Sequence, residues 1–185
     1  MKSGCYLFGV KKMKLFLKLL FVGSILMAGC HSDVYTKQLA VDNLKNQSAI
    51  PVISGYLDLR YTENTGIAFS FFDSVGEGVR KPLLVGMQSL SSLVLIGIII
   101  TFRNRSAMTL FPFLLILAGA AGNLFDRIRY GYVVDFIHFH MEEWFSWPVF
   151  NLADVWISIG IGILLLQILL NRDPFSQPNP RPESA

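Results

Sequence analysis

Two acids in this sequence sit where an acid is expensive. Asp135 lies in an apolar run between Val133-Val134 and Phe136-Ile137, and Asp154 opens the last long apolar stretch. Polar groups at the ends of membrane-crossing helices carry a solvation cost that function commonly explains. For Asp154 alone, capping would be explanation enough, since a carboxylate there meets free backbone N–H groups and the positive end of the helix dipole. Two acids leading into one membrane face change the weighing. If they converge, like charges a few ångströms apart cannot both ionise cheaply, and one keeps its proton. The pair then combines a base that activates water with an acid that protonates a carbonyl oxygen and helps an amine leave. That is peptide-bond hydrolysis without a metal, and a low-dielectric surround widens the split between the two acids.

Other polar groups have plainer readings. Asn123 precedes Asp126 by three residues, on the same helical face, and an amide at that depth needs a hydrogen-bond partner. Asp126 and Arg127 serve equally well as interfacial residues that terminate the third apolar helix. Gly119-Ala120-Ala121-Gly122 permits close helix packing and carries no functional message. A serine or cysteine nucleophile wants a base nearby, and the chain has three histidines. His138 and His140 share one face of a strand, but zinc would need a further ligand. They are read as surface residues near the headgroups, so no metal and no cofactor is expected. Cys5 lies in the lead before the first helix and Cys30 near that helix's outer end, too far apart for a disulfide.

The elements that must hold these residues are membrane spans. The 185 residues are 52% hydrophobic and 16% charged, against about 25% charge in an average soluble domain. Mean hydropathy is +0.48. Apolar runs over 13–31, 82–102, 106–125 and 154–171 each approach the roughly 20 residues needed to cross the hydrocarbon. The expected fold is an all-α membrane protein of four transmembrane helices with a small β-sheet on the outer face, forming one domain over residues 1–185. Lys2, Lys11, Lys12, Lys14, Lys18, Arg103 and Arg105 stand without acids, whereas segments 32–81 and 126–150 mix both signs. The positive-inside rule puts both termini in the cytoplasm and the mixed segments outside. The net charge of +3 follows from this topology and gives no reason to invoke nucleic acid.

The outer β layer is expected over about 50–75. Tyr56 to Thr62 alternates, with Leu57, Leu59 and Tyr61 on one face and Asp58, Arg60 and Thr62 on the other. Asn64-Thr65-Gly66 is a turn signal, and Ile67 to Phe72 resumes a β-prone run. Tyr132 to His140 is a further strand, and Trp144 and Trp147 suit an interfacial belt. Residues 174–185, rich in Pro, Ser and Asn, read as a disordered tail. Residues 12–30 also fit an export signal ending in Met27-Ala28-Gly29-Cys30. Three later spans make such a lipid anchor redundant, so the first run is taken as a helix. Translation could begin at Met1 or at Met13.

Five blocks now stand in order along the chain: Asp33-Val34-Tyr35-Thr36-Lys37, Asn64-Thr65-Gly66-Ile67-Ala68-Phe69-Ser70, Gly122-Asn123-Leu124-Phe125-Asp126-Arg127, Gly131-Tyr132-Val133-Val134-Asp135-Phe136 and Phe150-Asn151-Leu152-Ala153-Asp154. In them the chain resembles the lipoprotein signal peptidases (signal peptidase II), bacterial membrane aspartyl proteases. The resemblance implies that Asp135 and Asp154 are the catalytic pair and that Asn64, Asn123, Arg127 and Asn151 line the substrate site. Asp33 and Lys37 match the family's supporting pair, with Gly66, Asp126 and Ala153 as further supporting positions. It implies prolipoprotein substrates cleaved before a diacylglyceryl-modified lipobox cysteine, a monomer among membrane lipids, and a bacterial inner-membrane location with the site toward the outer face. Val34, Ile67 and Ala120 depart from the residues usual at their positions, and none touches the acids.

Two other classes fit a small polytopic protein. A transporter or channel component would use its acids to relay protons and would place them near the midplane. A non-catalytic assembly subunit would pack through the Gly-Ala stretch. Acids at helix ends favour hydrolysis over relay.

Overall fold

The structure, a computed structural model, describes residues 3–66, 76–141 and 144–170. It contains four helices, α1 (Ser3–Leu44), α2 (Glu77–Thr101), α3 (Ala107–Arg129) and α4 (Leu152–Leu169). It also contains four strands, β1 (Ile50–Ile53), β2 (Leu57–Asn64), β3 (Val133–Met141) and β4 (Phe145–Ser146). All four helices are long and apolar enough to cross a membrane. The expected tail at 174–185 and the apolar run Ile67 to Phe72 lie outside the described residues.

The helices depart from the sequence expectation at their ends, in ways that matter to the site. Hydropathy ends the first run at residue 31, yet α1 continues to Leu44 and is 42 residues long, about 63 Å. Its second half is held by one stripe: Gly29, Asp33, Lys37, Ala40 and Leu44 are buried at spacings of four, four, three and four. Helix α2 begins at Glu77 rather than Pro82, because Arg80 and Lys81 are helical although not apolar. Helix α3 runs on to Arg129, so Asp126 and Arg127 sit in its last turns and do not terminate it.

Helix α3 is the hub, in contact with α1, α2 and α4. The small-residue stretch makes those contacts close. A side chain on Gly119 would meet the Ala153 carbonyl oxygen, and one on Gly122 would meet Asp33. Outward-facing Leu90, Leu93, Leu165 and Leu169 leave α2 and α4 a lipid-compatible surface. At one end of the bundle Lys18 Nζ donates to the carbonyls of Arg103 and Arg105, so the basic α2–α3 link sits beside the basic part of α1.

At the other end the strands form one antiparallel sheet in the order β1-β2-β3-β4. The sheet is therefore built from both inter-helical segments. The sheet packs on Ala40 and Leu44 of α1 through Val134, with Leu59, Tyr61 and Phe136 around this contact. Strand β2 carries a bulge: Leu59 pairs with Ile137 but Thr62 with Asp135, so β2 spends one more residue than β3. The strict alternation expected over Tyr56 to Thr62 is broken there. Residues before the bulge, Asp58 among them, change phase relative to those after it.

Candidate active site

The end of α3, the start of α4, the middle of α1 and strands β2 and β3 meet at one buried polar cluster. Asp135, the third residue of β3, is 1% exposed. Thr62 is its partner across the sheet, and Asn64, two residues on, reaches the same face. Asn64 Nδ2 donates to Asp135 Oδ2 at 2.8 Å. The Asn64 amide is oriented from behind, where Gly66 N–H donates to its Oδ1 at 2.9 Å. Gly66 has φ +86°, a conformation natural to glycine.

Asp154 does not cap α4 itself. The N-cap is Asn151, whose Oδ1 accepts the Asp154 N–H at 3.0 Å while Asp154 Oδ2 accepts the Asn151 N–H at 3.2 Å, a reciprocal capping box. This leaves both Asn151 amide hydrogens free for the site. Its Nδ2 donates to Asp135 Oδ1 at 2.6 Å and to Asn123 Oδ1 at 3.1 Å. Asn123 Nδ2 in turn donates to Asp154 Oδ1 at 2.9 Å. Both carboxylates are thus gripped by asparagine amides, and Asn151 touches each.

Behind Asn123 lies a second layer centred on Lys37, itself 2% exposed. Its ammonium has three donors and meets three acceptors: Asp33 Oδ2 at 2.7 Å, Asp126 Oδ2 at 3.1 Å and Asn123 Oδ1 at 2.8 Å. The two acids reach onward to backbone. Asp33 Oδ1 accepts the Ala153 N–H at 2.8 Å, fixing the first turn of α4, and Asp126 Oδ2 accepts the Val134 N–H at 3.0 Å, fixing β3 beside Asp135. The supporting positions inferred from sequence therefore tie α1, α3, β3 and α4 together around the two acids.

Arg127 is near Asp154, Asp135 and Asp126, and its Nη1 makes long contacts to Gln88 Oε1 at 3.4 Å and to the Asn123 carbonyl at 3.5 Å. Gln88 escaped the sequence reading. The signal was there, as a single amide inside an otherwise uncharged span. Four carboxylates face two cations in this cluster, which favours a retained proton on one acid. Burial is the main cause that pushes Asp135 up to about 6, with the Asp154 charge adding to the rise against the lowering effect of the Asn64 and Asn151 amides and of Lys37. A groove of about 280 Å³ opens beside Asp154, lined by Trp147, Phe150, Val155, Ser158 and Ile159. A larger cavity of about 480 Å³, between Tyr130–Tyr132 and Arg80–Lys81, contains neither acid.

Helices long and apolar enough to cross a membrane, a sheet at one end and a partly buried acid pair between them define a polytopic membrane protein with an embedded polar centre. The family model for signal peptidase (SPase) II matches residues 25–170. Lipoprotein signal peptidases of Clostridium acetobutylicum and Dichelobacter nodosus are similar throughout. The first is 36% identical over 80% of this chain and 94% of its own length, the second 38% identical over 76% and 88%. A bacterial membrane enzyme solved by the in meso method at 1.9 Å resolution shares the fold, with a TM-score of 0.63 and 22% identity over 83% of this chain and 92% of that one. The chain belongs to the lipoprotein signal peptidase family. It is a protease of the signal peptidase II type, acting in membranes to remove signal peptides from prolipoproteins.

Proposed function

We propose that the chain cleaves prolipoproteins immediately before the diacylglyceryl-modified cysteine, with Asp135 and Asp154 as the acid–base pair. One observation carries this reading: Asn151 and Asn123 join the two carboxylates through hydrogen bonds of 2.6, 3.1 and 2.9 Å. Asp154 lies in the first turn of α4, at the positive end of the helix dipole, and takes a proton from the attacking water. Asp135, the more deeply buried acid, holds the proton and gives it to the scissile carbonyl oxygen as the tetrahedral intermediate forms. Collapse then breaks the C–N bond. Asp154 delivers its newly gained proton to the amine nitrogen, and Asp135 recovers one from the intermediate's hydroxyl, which restores the starting state.

Asn64, Asn123, Asn151 and Arg127 border the substrate in this scheme. The guanidinium offsets the negative charge around the pair. The groove along Phe150, Val155 and Ile159 suits an acyl chain, and apolar burial there would favour the lipid-modified substrate. The basic end of the bundle, with Lys18 beside Arg103 and Arg105, supports a cytoplasmic placement for both termini in a bacterial inner membrane. The site then faces the outer leaflet. Monomeric action, without cofactor, completes the proposal.

The test is incubation of the purified protein with one prolipoprotein in diacylated and non-acylated forms. Cleavage confined to the diacylated form, between the residue before the cysteine and the cysteine itself, is expected. Equal cleavage of both forms, or a cut elsewhere, would sink the lipid-dependent reading.

A further inference from the structure

Away from the acid pair, the sheet brings together the titratable side chains of Asp58, His138 and His140. Asp58 of β2 pairs directly with His138 of β3, and His140 lies two residues along β3 on the same face. His138 is 7% exposed, against the expectation of a surface residue at the headgroups. The β2 bulge brings Asp58 into phase with the even-numbered positions of β3. Asp135 is odd-numbered and projects from the opposite face, about 10 Å along the strand.

The three residues present one donor atom each within 4.8 Å of one another. Asp58 Oδ2 lies 3.0 Å from His140 Nε2 and 3.8 Å from His138 Nδ1. Donors at about 2.0–2.1 Å from a tetrahedral zinc are separated by roughly 3.3 Å, so the two distances to Asp58 bracket the required spacing and the histidine nitrogens need to move closer together. His138 Nδ1 and His140 Nε2 are both buried, and Asp58 is the polar group that each approaches. On the other side of its ring His138 Nε2 lies 2.9 Å from Ser146 Oγ of β4, and Ser146 is itself fixed by pairing with His140. With Nε2–H donating to that hydroxyl, Nδ1 is a bare lone pair aimed at Asp58, the arrangement in which metal-ligating histidines are oriented. The two rings lie side by side, 4.9 Å apart and 14° from parallel.

We propose that Asp58, His138 and His140 form a binding site for a divalent late-first-row cation, Zn²⁺ foremost, that clips β2 to β3. Two imidazoles and one carboxylate are a donor set suited to that class, and water would complete the tetrahedron. Burial, with Arg60 and His140 nearby, holds His138 below the usual histidine range despite Asp58. The site lies outside the catalytic pair and does not depend on the mechanism proposed above. Its effect is mechanical, since β3 carries Asp135.

The experiment uses the full chain in detergent, stripped with chelator and desalted, then titrated with Co²⁺ as a visible probe and displaced with Zn²⁺. One equivalent with the absorption of a tetrahedral or five-coordinate cobalt site is expected, together with a Zn²⁺-dependent rise in melting temperature. Both should vanish in His140→Gln and Asp58→Asn and persist in His31→Gln, with melting in the metal-free state showing that each variant is folded. Ser146→Ala, which removes only the group orienting His138, should weaken binding roughly tenfold. No saturable binding by the wild-type chain, or unchanged binding in both His138→Gln and His140→Gln, overturns the proposal.

Discussion

Asn151 Nδ2 lies 2.6 Å from Asp135 Oδ1, while Asn151 Oδ1 accepts the backbone N–H of Asp154 at 3.0 Å. One side chain therefore caps a helix with its oxygen and holds a carboxylate of the other segment with its nitrogen. The two roles can be separated. Serine retains the cap and lacks the amide donors.

Asn151→Ser should unfold within about 1 kcal/mol of wild type, because the helix cap survives. Its turnover should fall by roughly a hundredfold, the cost of misplacing a reacting group by an ångström or so. Asn151→Ala should lose the same activity and, in addition, about 1 kcal/mol of stability. Melting curves and cleavage rates on the same preparations separate the two losses. Full activity in Asn151→Ser would remove the bridge from the mechanism.

Asp135→Asn and Asp154→Asn should each lower prolipoprotein cleavage by at least about a thousandfold, within the range for loss of a general acid or base. Both variants should remain inserted and helical by circular dichroism. Processing that survives in both single variants disproves the pair.

The raised Asp135 carboxyl makes a prediction with a definite sign. Its folded-state value of about 6 exceeds the 3.8 of an unperturbed aspartate, so the folded chain binds this proton more tightly than the unfolded chain does. The resulting stability is complete below about pH 4, declines as pH rises and is lost above about 6. The amount is about 3 kcal/mol. The unfolding free energy of wild type minus that of Asp135→Asn, which cannot titrate there, should fall by about that amount between pH 4 and 7. Activity should decline above about pH 6 as the acid loses its proton. A flat difference curve would mean that Asp135 titrates as an ordinary carboxyl.

Lys37 stands between two buried carboxylates, 2.7 Å from Asp33 and 3.1 Å from Asp126. Lys37→Met keeps much of the volume and strands both acids, which should cost about 3–5 kcal/mol. Adding Asp33→Asn should recover part of that loss by removing one stranded charge. If Lys37→Met melts like wild type, the cluster is not what joins α1 to α4.

Asp135, Asp154 and Asn123 stood out by residue type, as polar groups inside or at the edge of apolar runs, whereas Asn64 and Asn151 entered only through the family resemblance. What the sequence hid was distance along the chain. Asn64 and Asp135 are 71 residues apart, and nothing local announces that their strands pair. The burial of His138 was missed for the same reason, since its neighbour Asp58 lies on the other strand. The β2 bulge added a phase error that a strict period of two cannot contain. The length of α1 was misjudged because hydropathy stops where polarity begins, although Asp33, Lys37, Ala40 and Leu44 already had helical spacing. Gln88 was passed over because a lone amide in an apolar span carries no partner in the sequence.

Helix α4 starts at the acid pair and runs for 18 residues, about 27 Å, close to the thickness of the hydrocarbon layer at roughly 30 Å. On the mechanism proposed above, the acid pair is therefore level with one rim of the bilayer, at the end of the helices beneath it. Such an enzyme works as a depth gauge. A substrate anchored in the same bilayer offers whichever bond comes to that height, so the length of its apolar segment sets the cut together with the side chains that flank it.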